Sequence, residues 1–308
     1  MPFSHHSHSG QFCAHAQDQL EDVVLAAIAR GFRSLALTEH IYRPKEDFYP
    51  EEEGLYTEAS LKESFGLYMK EASRLREKYS SRIEILVGFE AEWIRPSSER
   101  DINDVLRDYK GSLDFFLGSI HHVMSHPIDF DREKYDMALR KAGGTDEKLF
   151  LQYFLEMGSM LRALKPPVVG HFDLIRLKSD TPDTQFEGMD EVWKVIRNNL
   201  EYIASYGGIL ELNSAALRKG LAEPYPCLPI CQYFMSLGGR FTISDDSHGV
   251  AQLGTNYHRL LDFIKKVGIE TIWYADRRTQ STSDARFRAG FSSMSVEELI
   301  QHPYWSLA

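Results

Sequence analysis

Cysteine is rare in this chain of 308 residues: three are present, and their spacing suggests no disulfide framework. Small secreted domains that disulfides hold together carry more cysteines, in even numbers. Cys227 and Cys231 have a CxxxC spacing that could bind a metal. No second Cys or His pair follows at zinc-finger distance, so we expect structural thiols. The cysteine content therefore favours a reducing compartment, and we expect a cytoplasmic protein.

Long apolar runs and excess positive charge are missing as well. No stretch approaches the roughly 20 apolar residues of a membrane-spanning helix, and the first residues lack the pattern of a secretory signal. The formal net charge is −10, whereas nucleic acids and anionic membranes are bound through basic patches. We therefore expect neither nucleic acid nor membrane as a partner. A small anionic substrate stays compatible, because the local charge of its site decides binding.

The sequence does contain a regular alternation of helix-like and strand-like segments. Helices are predicted at 19–30, 61–79, 102–109, 146–164, 189–206, 229–237 and 257–267. Strands are predicted at 2–6, 34–38, 83–90, 114–121, 168–171, 209–213 and 240–244, with a candidate eighth strand at 270–274. Strands separated by helices of this length indicate βαβ units and a parallel sheet.

No interior stretch has the composition of a domain linker. We therefore expect one α/β domain over residues 1–308, with a core at 1–275 and a C-terminal cap or tail at 276–308. The segments 41–60 and 124–145 are long, polar and rich in aromatic residues, and we expect them to be loops that cover the substrate side.

Metal-type ligands follow the predicted strands. Seven of the twelve histidines end a short apolar run or stand beside a residue that does, and two carboxylates take the same kind of place. These nine residues are His6, His8, His15, His40, Glu90, His121, His171, Asp246 and His248. In a parallel β/α barrel the C-terminal ends of the strands carry the chemistry. One such histidine is more often structural than functional, but nine donors at equivalent positions predict a metal site.

The types and spacing of these donors indicate which metals fit. Residues i and i+2 of a strand share a face, so His6 and His8 can bind one ion, as can Asp246 and His248. Imidazole and carboxylate suit zinc, iron or manganese, and no set of thiolates demands a softer ion. Nine donors suffice for two or three ions. Adjacent ions can hold a bridging hydroxide that is nucleophilic at neutral pH, as phosphate ester hydrolysis requires.

As an ordered set, the motifs resemble those of the PHP (polymerase and histidinol phosphatase) superfamily. The matching segments are His6-Ser7-His8-Ser9, Thr38-Glu39-His40, Gly88-Phe89-Glu90, Ser119-Ile120-His121, Gly170-His171 and Asp246-Ser247-His248. The resemblance runs from residue 6 to residue 248. It implies a distorted (β/α)7 barrel that holds up to three metal ions at the C-terminal ends of its strands.

The resemblance also implies which residues hold which metal. His6, His8, Glu90 and Asp246 would hold the first ion; Glu90, His121 and His171 the second; and His15, His40 and His248 the third. Many family members have Asp where this chain has His15. The segments 6–16 and 210–214 look more like the histidinol-phosphate phosphatase branch, which implies hydrolysis of L-histidinol phosphate to L-histidinol and phosphate, a late step of histidine biosynthesis.

A few further residues are candidates for substrate binding and proton transfer. Arg176 and Arg218 follow strands on the ligand side, where each guanidinium could clamp a phosphate or remain solvated. Glu92 lies two residues after Glu90 and could meet the substrate's ammonium or imidazole. His122 could support a ligand or protonate the leaving alkoxide. The candidate catalytic residues are thus Glu90, Asp246 and His122, and structural roles for Glu92 and His122 stay open.

Two other functions remain compatible with the sequence. A phosphoesterase of the same fold could act on another small phosphate ester or on nucleic-acid ends, although the net charge disfavours the second. A metal-binding regulatory domain without activity would be expected to lack some ligands, and none is missing. Whether the chain forms a homo-oligomer is left open.

Overall fold

A computed structural model describes residues 2–183, 185–280 and 284–306. The strands are β1 (Phe3–Ser4), β2 (Ser7–His8), β3 (Ser34–Leu37), β4 (Glu84–Val87), β5 (Glu90–Glu92), β6 (Leu117–Ser119), β7 (His122–Val123), β8 (His126–Pro127), β9 (Val168–Val169), β10 (Ile209–Asn213), β11 (Arg240–Ser244), β12 (Ser247–His248), β13 (Thr271–Gln280) and β14 (Ala289–Ser295). The α-helices are α1 (Leu20–Ala29), α2 (Glu58–Lys78), α3 (Ser98–Asp108), α4 (Arg132–Ala142), α5 (Asp146–Leu164), α6 (Asp190–Tyr206), α7 (Ala215–Arg218), α8 (Leu228–Ser236), α9 (Tyr257–Val267) and α10 (Val296–Ile300). Short 3-10 turns lie at Lys45–Asp47, Leu174–Lys178, Phe186–Gly188, Val250–Gln252 and Pro303–Ser306.

The pairing of the strands closes a barrel. Strands β1, β3 and β4 pair in parallel, and β5 continues β4 after two residues. Strand β5 pairs with β6, and the parallel order continues through β9, β10 and β11. Strand β12 follows β11 and pairs with β2, which follows β1, so the circuit returns to its start. The predicted (β/α)7 barrel is confirmed. We call each of the seven positions around the barrel a stave. The barrel is distorted because three staves are each split into two short strands: β1 and β2, β4 and β5, and β11 and β12.

The alternation of side chains along the staves separates two apolar clusters. Leu35 and Leu37 of β3 point outward into a large core shared with the helices, whereas Ala36 points inward. Strand β4 repeats the pattern, with Leu86 inside the barrel. Such period-two alternation is what a strand dictates. The inner cluster is small. It leaves polar side chains to fill the part of the barrel interior near the C-terminal ends of the strands, which we call the rim.

The segment predicted as an eighth strand is a hairpin strand instead. Strand β13 pairs antiparallel with β14, and Ala275 and Ala289 pack on the inner cluster. The Nε2 atom of buried His5 accepts the Ala275 N–H at 2.9 Å, so its Nδ1–H donates to Thr242 at 2.6 Å. Burial lowers the pKa of His5 to about 3, which keeps this imidazole neutral. The hairpin therefore closes the barrel at the end opposite the ligands.

The expected boundary between a core and a cap at residue 275 falls inside β13. The hairpin and α10 follow the last barrel helix, α9, and the ring of Trp305 stacks on Tyr257 with centroids 6.0 Å apart. Single-domain organisation stays a prediction. Among the described helices, none combines the length and the apolar character that a membrane span needs.

One of the two predicted lid loops contains regular structure. The segment 124–145 was expected to be a loop, but it includes β8 and α4. The Asp131 side chain caps α4 by accepting the Lys134 N–H, and Gly143 ends the helix with a φ of 113°. Only Tyr135 and Ala138 of this helix are buried. Two buried positions are too few to give the helix a recognisable hydrophobic periodicity in the sequence, although the capping residues Asp131 and Gly143 were present. The segment 41–60 contains the turn Lys45–Asp47 and the start of α2.

Candidate metal centre

The carboxylate of Glu90 stands at the middle of the C-terminal rim. Its Oε2 atom lies 3.2 Å from His6 Nε2, 3.5 Å from His8 Nε2 and 3.0 Å from His40 Nδ1. His6 and His8 come from the first stave and His40 follows β3, so the neighbouring staves deliver all three rings to one oxygen.

The other oxygen of Glu90 faces the opposite side of the rim. Its Oε1 atom lies 2.9 Å from His171 Nε2 and 3.5 Å from His121 Nε2. These histidines follow β9 and β6. Because its two oxygens face different imidazole sets, Glu90 is placed as a carboxylate that could bridge two ions.

Asp246 completes the group around His6 and His8. Its Oδ1 atom lies 3.6 Å from the Nε2 atom of each, and 3.7 Å from His248 Nδ1. Asp246 has a φ of 47°, a left-handed conformation that costs a non-glycine residue energy. This conformation occurs between β11 and β12, where the chain turns and the Asp246 carboxylate faces the rim histidines.

Among the residues that the structure describes, four groups of donor atoms lie close enough to hold metal ions. In each group the donor atoms lie within 4.8 Å of one another. The groups are His6/His8/Glu90, His6/His171/Asp246, Glu90/His121/His171 and His8/Cys13/His40/His248. The third is the predicted second metal set. The structure thus contains donors for several ions.

His15 stands apart from the other predicted ligands. Its side chain is 37% exposed and its Nδ1 atom lies 3.3 Å from Glu51. Its ring centroid is 5.0 Å from that of His248 and 5.5 Å from that of His40. The buried Cys13 thiol, 3.3 Å from His15 Nε2, takes its place in the fourth donor group. No motif or spacing singles out Cys13 as a ligand in the sequence.

The chemistry of the unpaired atoms fits a cation. The Nε2 atom of His6 and both ring nitrogens of His8 and His40 are buried without a hydrogen-bond partner. Buried polar atoms without partners are costly, and natural proteins rarely contain them in groups. Imidazole nitrogens beside carboxylates are the donors that zinc, iron and manganese accept, so the residues present fit divalent ions.

Carboxylates behind the rim orient the ligand imidazoles. Glu211 accepts from His6 Nδ1 at 2.8 Å, and Glu39 Oε2 lies 3.5 Å from His8 Nδ1. The Glu211 partner at Nδ1 fixes the His6 ring and turns its Nε2 towards the metal position, whereas Glu39 places a negative charge beside the His8 ring. Sequence reasoning missed both glutamates as site residues. Glu211 had left a signal, since it is a charged residue in the middle of the otherwise apolar segment of β10.

The carboxylates also shift the pKa values of the rim imidazoles. Burial lowers the pKa of His8, but Asp246, Glu39 and Glu90 outweigh it and raise that pKa to about 10. His40 is different, because burial and the nearby charge of His8 lower its pKa to about 3. The field at the rim is therefore strongly attractive to positive charge.

Arg176 does not lie where a substrate could reach it, which corrects the expectation from the sequence. Its buried guanidinium donates to Asp173 at 2.7 Å and to the carbonyl oxygens of Pro182 and Pro224. Arg176 lies in the 3-10 turn Leu174–Lys178, and its ion-pair partner Asp173 immediately precedes that turn. Arg176 therefore stabilises the loop after β9 and does not line the cavity above the rim.

Glu92 and His122 are also buried behind the rim. Glu92 pairs with Arg43, accepts the Tyr49 hydroxyl at 2.6 Å, and lies 3.4 Å from the Nδ1 atoms of His121 and His122. Neither Glu92 nor His122 lines the cavity. Glu92 therefore faces Arg43, Tyr49 and the two imidazoles, and not the cavity in which we expected it to meet the substrate. A role of His122 as the proton donor stays a prediction.

A cavity of about 490 Å³ opens above the ligands, and Arg218 lies in its wall. The Arg218 guanidinium donates to the carbonyl oxygens of Asp245 and Asp246, each at 2.9 Å. Lining residues that sequence reasoning missed are Tyr49, Glu51, Asp129, Phe130, Leu174, Lys219 and Gln252. They lie on loops between the predicted strands, where no periodic pattern marks them.

Comparisons with known proteins agree with this geometry. A family profile described as the PHP domain matches residues 4–215. A Schizosaccharomyces pombe protein named "Probable histidinol-phosphatase" is 44% identical over 274 residues, covering 88% of this chain and 89% of its own length. The histidinol-phosphatase of Saccharomyces cerevisiae is 32% identical over 335 residues, covering 98% and 99%.

Solved structures share the fold. A crystal structure described as the "putative histidinol phosphatase hisK" of Listeria monocytogenes superposes with a TM-score of 0.74 at 26% identity, covering 84% of this chain and 99% of that one. A Lactococcus lactis histidinol phosphate phosphatase, solved with zinc, L-histidinol and phosphate, gives a TM-score of 0.66 at 22% identity, covering 86% and 93%.

Proposed function

The chain belongs to the PHP domain family, and from that premise we propose that it is a metal-dependent phosphomonoesterase that hydrolyses L-histidinol phosphate to L-histidinol and phosphate in histidine biosynthesis. One observation carries the proposal: the nitrogen and oxygen donors of the rim, centred on Glu90, face a cavity that also exposes Arg218 and Lys219. A phosphate monoester needs both features, and the two curated relatives match the chain over most of its length.

The rim residues would hold the ions in sets that share Glu90. His6, His8, Glu90 and Asp246 form one set, and Glu90, His121 and His171 form another. His40 and His248 would hold a third ion with His15 or Cys13. Bound divalent ions lower the pKa of coordinated water to about 7 and neutralise charge that develops on phosphate oxygens.

The protein itself orients the ligands and binds the substrate. Glu90 and Asp246 act as catalytic residues because they stand at the reacting centre, within 3.7 Å of the ligand imidazoles that surround them. Arg218 supplies a fixed guanidinium for phosphate oxygens, since two backbone carbonyls hold it in place. Lys219 adds an exposed positive charge at the same wall.

We place the enzyme in the cytoplasm. We expect it to act on a small phosphate ester and not on nucleic acid, because the formal net charge of −10 disfavours binding of a polyanion. The alternative within the family is an esterase for another small phosphate or for nucleic-acid ends. The protein could also form a homo-oligomer.

A direct assay tests the proposal. The purified protein is analysed for its metal content, and phosphate release is measured from L-histidinol phosphate and from a single-stranded oligonucleotide. We expect several equivalents of divalent metal and faster release from histidinol phosphate. Faster cleavage of the oligonucleotide would overturn the assignment. No release from any monoester by metal-loaded protein would favour a binding domain without activity.

A further inference from the structure

The carboxylate of Asp129 is an unused charge in the wall of the cavity. Asp129 lies between β8 and α4, and the preceding residue, Ile128, donates its N–H to the His121 carbonyl at 2.9 Å. This bond fixes the segment beside a rim histidine. Within the described part of the chain, the Asp129 side chain has no hydrogen bond and no ion pair, although it lines the cavity.

Among the described residues no arginine or lysine pairs with Asp129, although its charge helps to raise the pKa of the nearby His121 imidazole. Arg43 is buried against Glu52 and Glu92, and Arg176 is held by its own loop. Arg218 lies after β10, and β9 separates β10 from β6, the stave that leads to His121 and Asp129. The cavity therefore has a positive wall at Arg218 and Lys219 and a negative one at Asp129.

The other cavity-lining carboxylates already have partners. Glu51 lies 3.3 Å from His15, while Glu90 and Asp246 face the ligand imidazoles. Next to Asp129, Phe130 exposes 39% of its surface, and its ring stacks on Tyr49 with centroids 6.2 Å apart. A free carboxylate beside an exposed aromatic face matches a ligand that carries both a positive charge and a ring.

We propose that Asp129 is the specificity-determining residue that binds the ammonium group of the substrate, with Phe130 beside its ring. This inference rests on the proposed function, which supplies a phosphate ester with an amine and an imidazole. The phosphate lies at the positive wall and the ammonium at the negative one, so the cavity selects cationic phosphate monoesters over neutral ones. A charge-assisted hydrogen bond of this kind corresponds to roughly 10- to 100-fold in kcat/KM.

The test compares two substrates in the metal-loaded enzyme. Asp129→Asn should lower kcat/KM for L-histidinol phosphate roughly 10- to 100-fold and leave kcat/KM for p-nitrophenyl phosphate, which has no ammonium, within about twofold. The matched control is Asp180→Asn, because Asp180 is an aspartate with a 76% exposed side chain that pairs with Arg132 at the surface. The control should change neither value.

The outcomes separate this inference from the proposed function. An equal loss on both substrates, or no loss on either, would overturn the role of Asp129. If the wild type does not hydrolyse histidinol phosphate, the proposed function fails, and O-phosphoethanolamine replaces it as the ammonium-bearing substrate in the same comparison. Should Asp129→Asn not fold, N-acetyl-L-histidinol phosphate removes the ammonium charge of the substrate instead. The wild type should then lose the same factor, and an unchanged kcat/KM would contradict the inference.

Discussion

Replacing Glu211 by glutamine should weaken metal binding without touching a metal ligand. Glu211 is fully buried and accepts four hydrogen bonds. Its Oε1 atom accepts from His6 at 2.8 Å and Ser244 at 2.5 Å, and its Oε2 atom from the His171 N–H at 2.7 Å and Asn213 at 3.0 Å. A glutamine keeps one acceptor oxygen, so two of the four donors lose their acceptor in either orientation of the amide.

The size of the effect follows from those two lost bonds. In either orientation of the amide the bond at His6 loses its charge assistance, and with the amide nitrogen facing His6 the ring has no acceptor at all. Loss of such supporting partners costs about 10- to 100-fold in metal affinity. Two buried donors without acceptors should also lower the free energy of unfolding by about 2–6 kcal/mol, at roughly 1–3 kcal/mol each. The charge itself matters too: burial raises the pKa of Glu211, but His6 outweighs it, so the net pKa is lowered and the residue is ionised.

Chelator competition and urea unfolding measure the two effects separately. Glu201→Gln is the matched control, because Glu201 is exposed and accepts one hydrogen bond, from Tyr233 at 2.6 Å. We expect Glu201→Gln to keep the wild-type metal affinity. If Glu211→Gln bound metal as tightly as this control, the argument that outer carboxylates hold the ligand imidazoles would be refuted.

Three further changes test other parts of the molecule. His8→Ala should abolish phosphate release and leave the circular dichroism of a folded barrel, because the apolar clusters do not include His8; wild-type rates would remove it from the site. Arg218→Ala should raise KM for phosphate substrates roughly 10-fold with little change in metal content; an unchanged KM would make it a surface residue. Hydrogen bonds from Lys78 and Tyr79 lower the pKa of Glu21 to about 2, so its stabilising effect is present above its unfolded pKa, near 4.5, and is lost as pH falls through 2. Glu21→Gln should therefore be slightly less stable than wild type in thermal unfolding at pH 7, with the difference shrinking below pH 4; a difference that grew on acidification would contradict this sign.

The convergence of the ligands could be predicted because strand direction decides it. Each parallel stave ends at the same rim, so a donor at the end of an apolar run is brought to the others whatever the loops do. His6, His121 and His171 follow this rule and surround Glu90. His15 does not follow a strand end directly, and its side chain is 37% exposed at the edge of the ligand cluster.

The roles of the charged residues beyond the ligands could not be predicted in this way. The position of Arg176 after β9 was compatible with phosphate binding, but Asp173 competes for its guanidinium at 2.7 Å. Glu92 does lie two residues beyond Glu90, yet Arg43 from a loop covers it. Such partners come from segments distant in sequence or without periodicity, and the pairing energy depends on distances that a sequence does not specify. Asp129 was overlooked because it lies on the segment between β8 and α4, where no periodic pattern marks a functional residue.

The network around Glu92 links the segment after β3 to the metal centre. Arg43 and Tyr49 both belong to this segment, and both bind the Glu92 carboxylate, which in turn lies 3.4 Å from His121 Nδ1. Tyr49 also lines the cavity. A movement of the segment that displaces Arg43 or Tyr49 must break a buried ion pair or hydrogen bond to Glu92, and a buried carboxylate without partners is costly. The position of this loop is therefore energetically coupled to the Glu92 carboxylate: the same contacts that shape the cavity wall hold a negative charge beside the His121 imidazole.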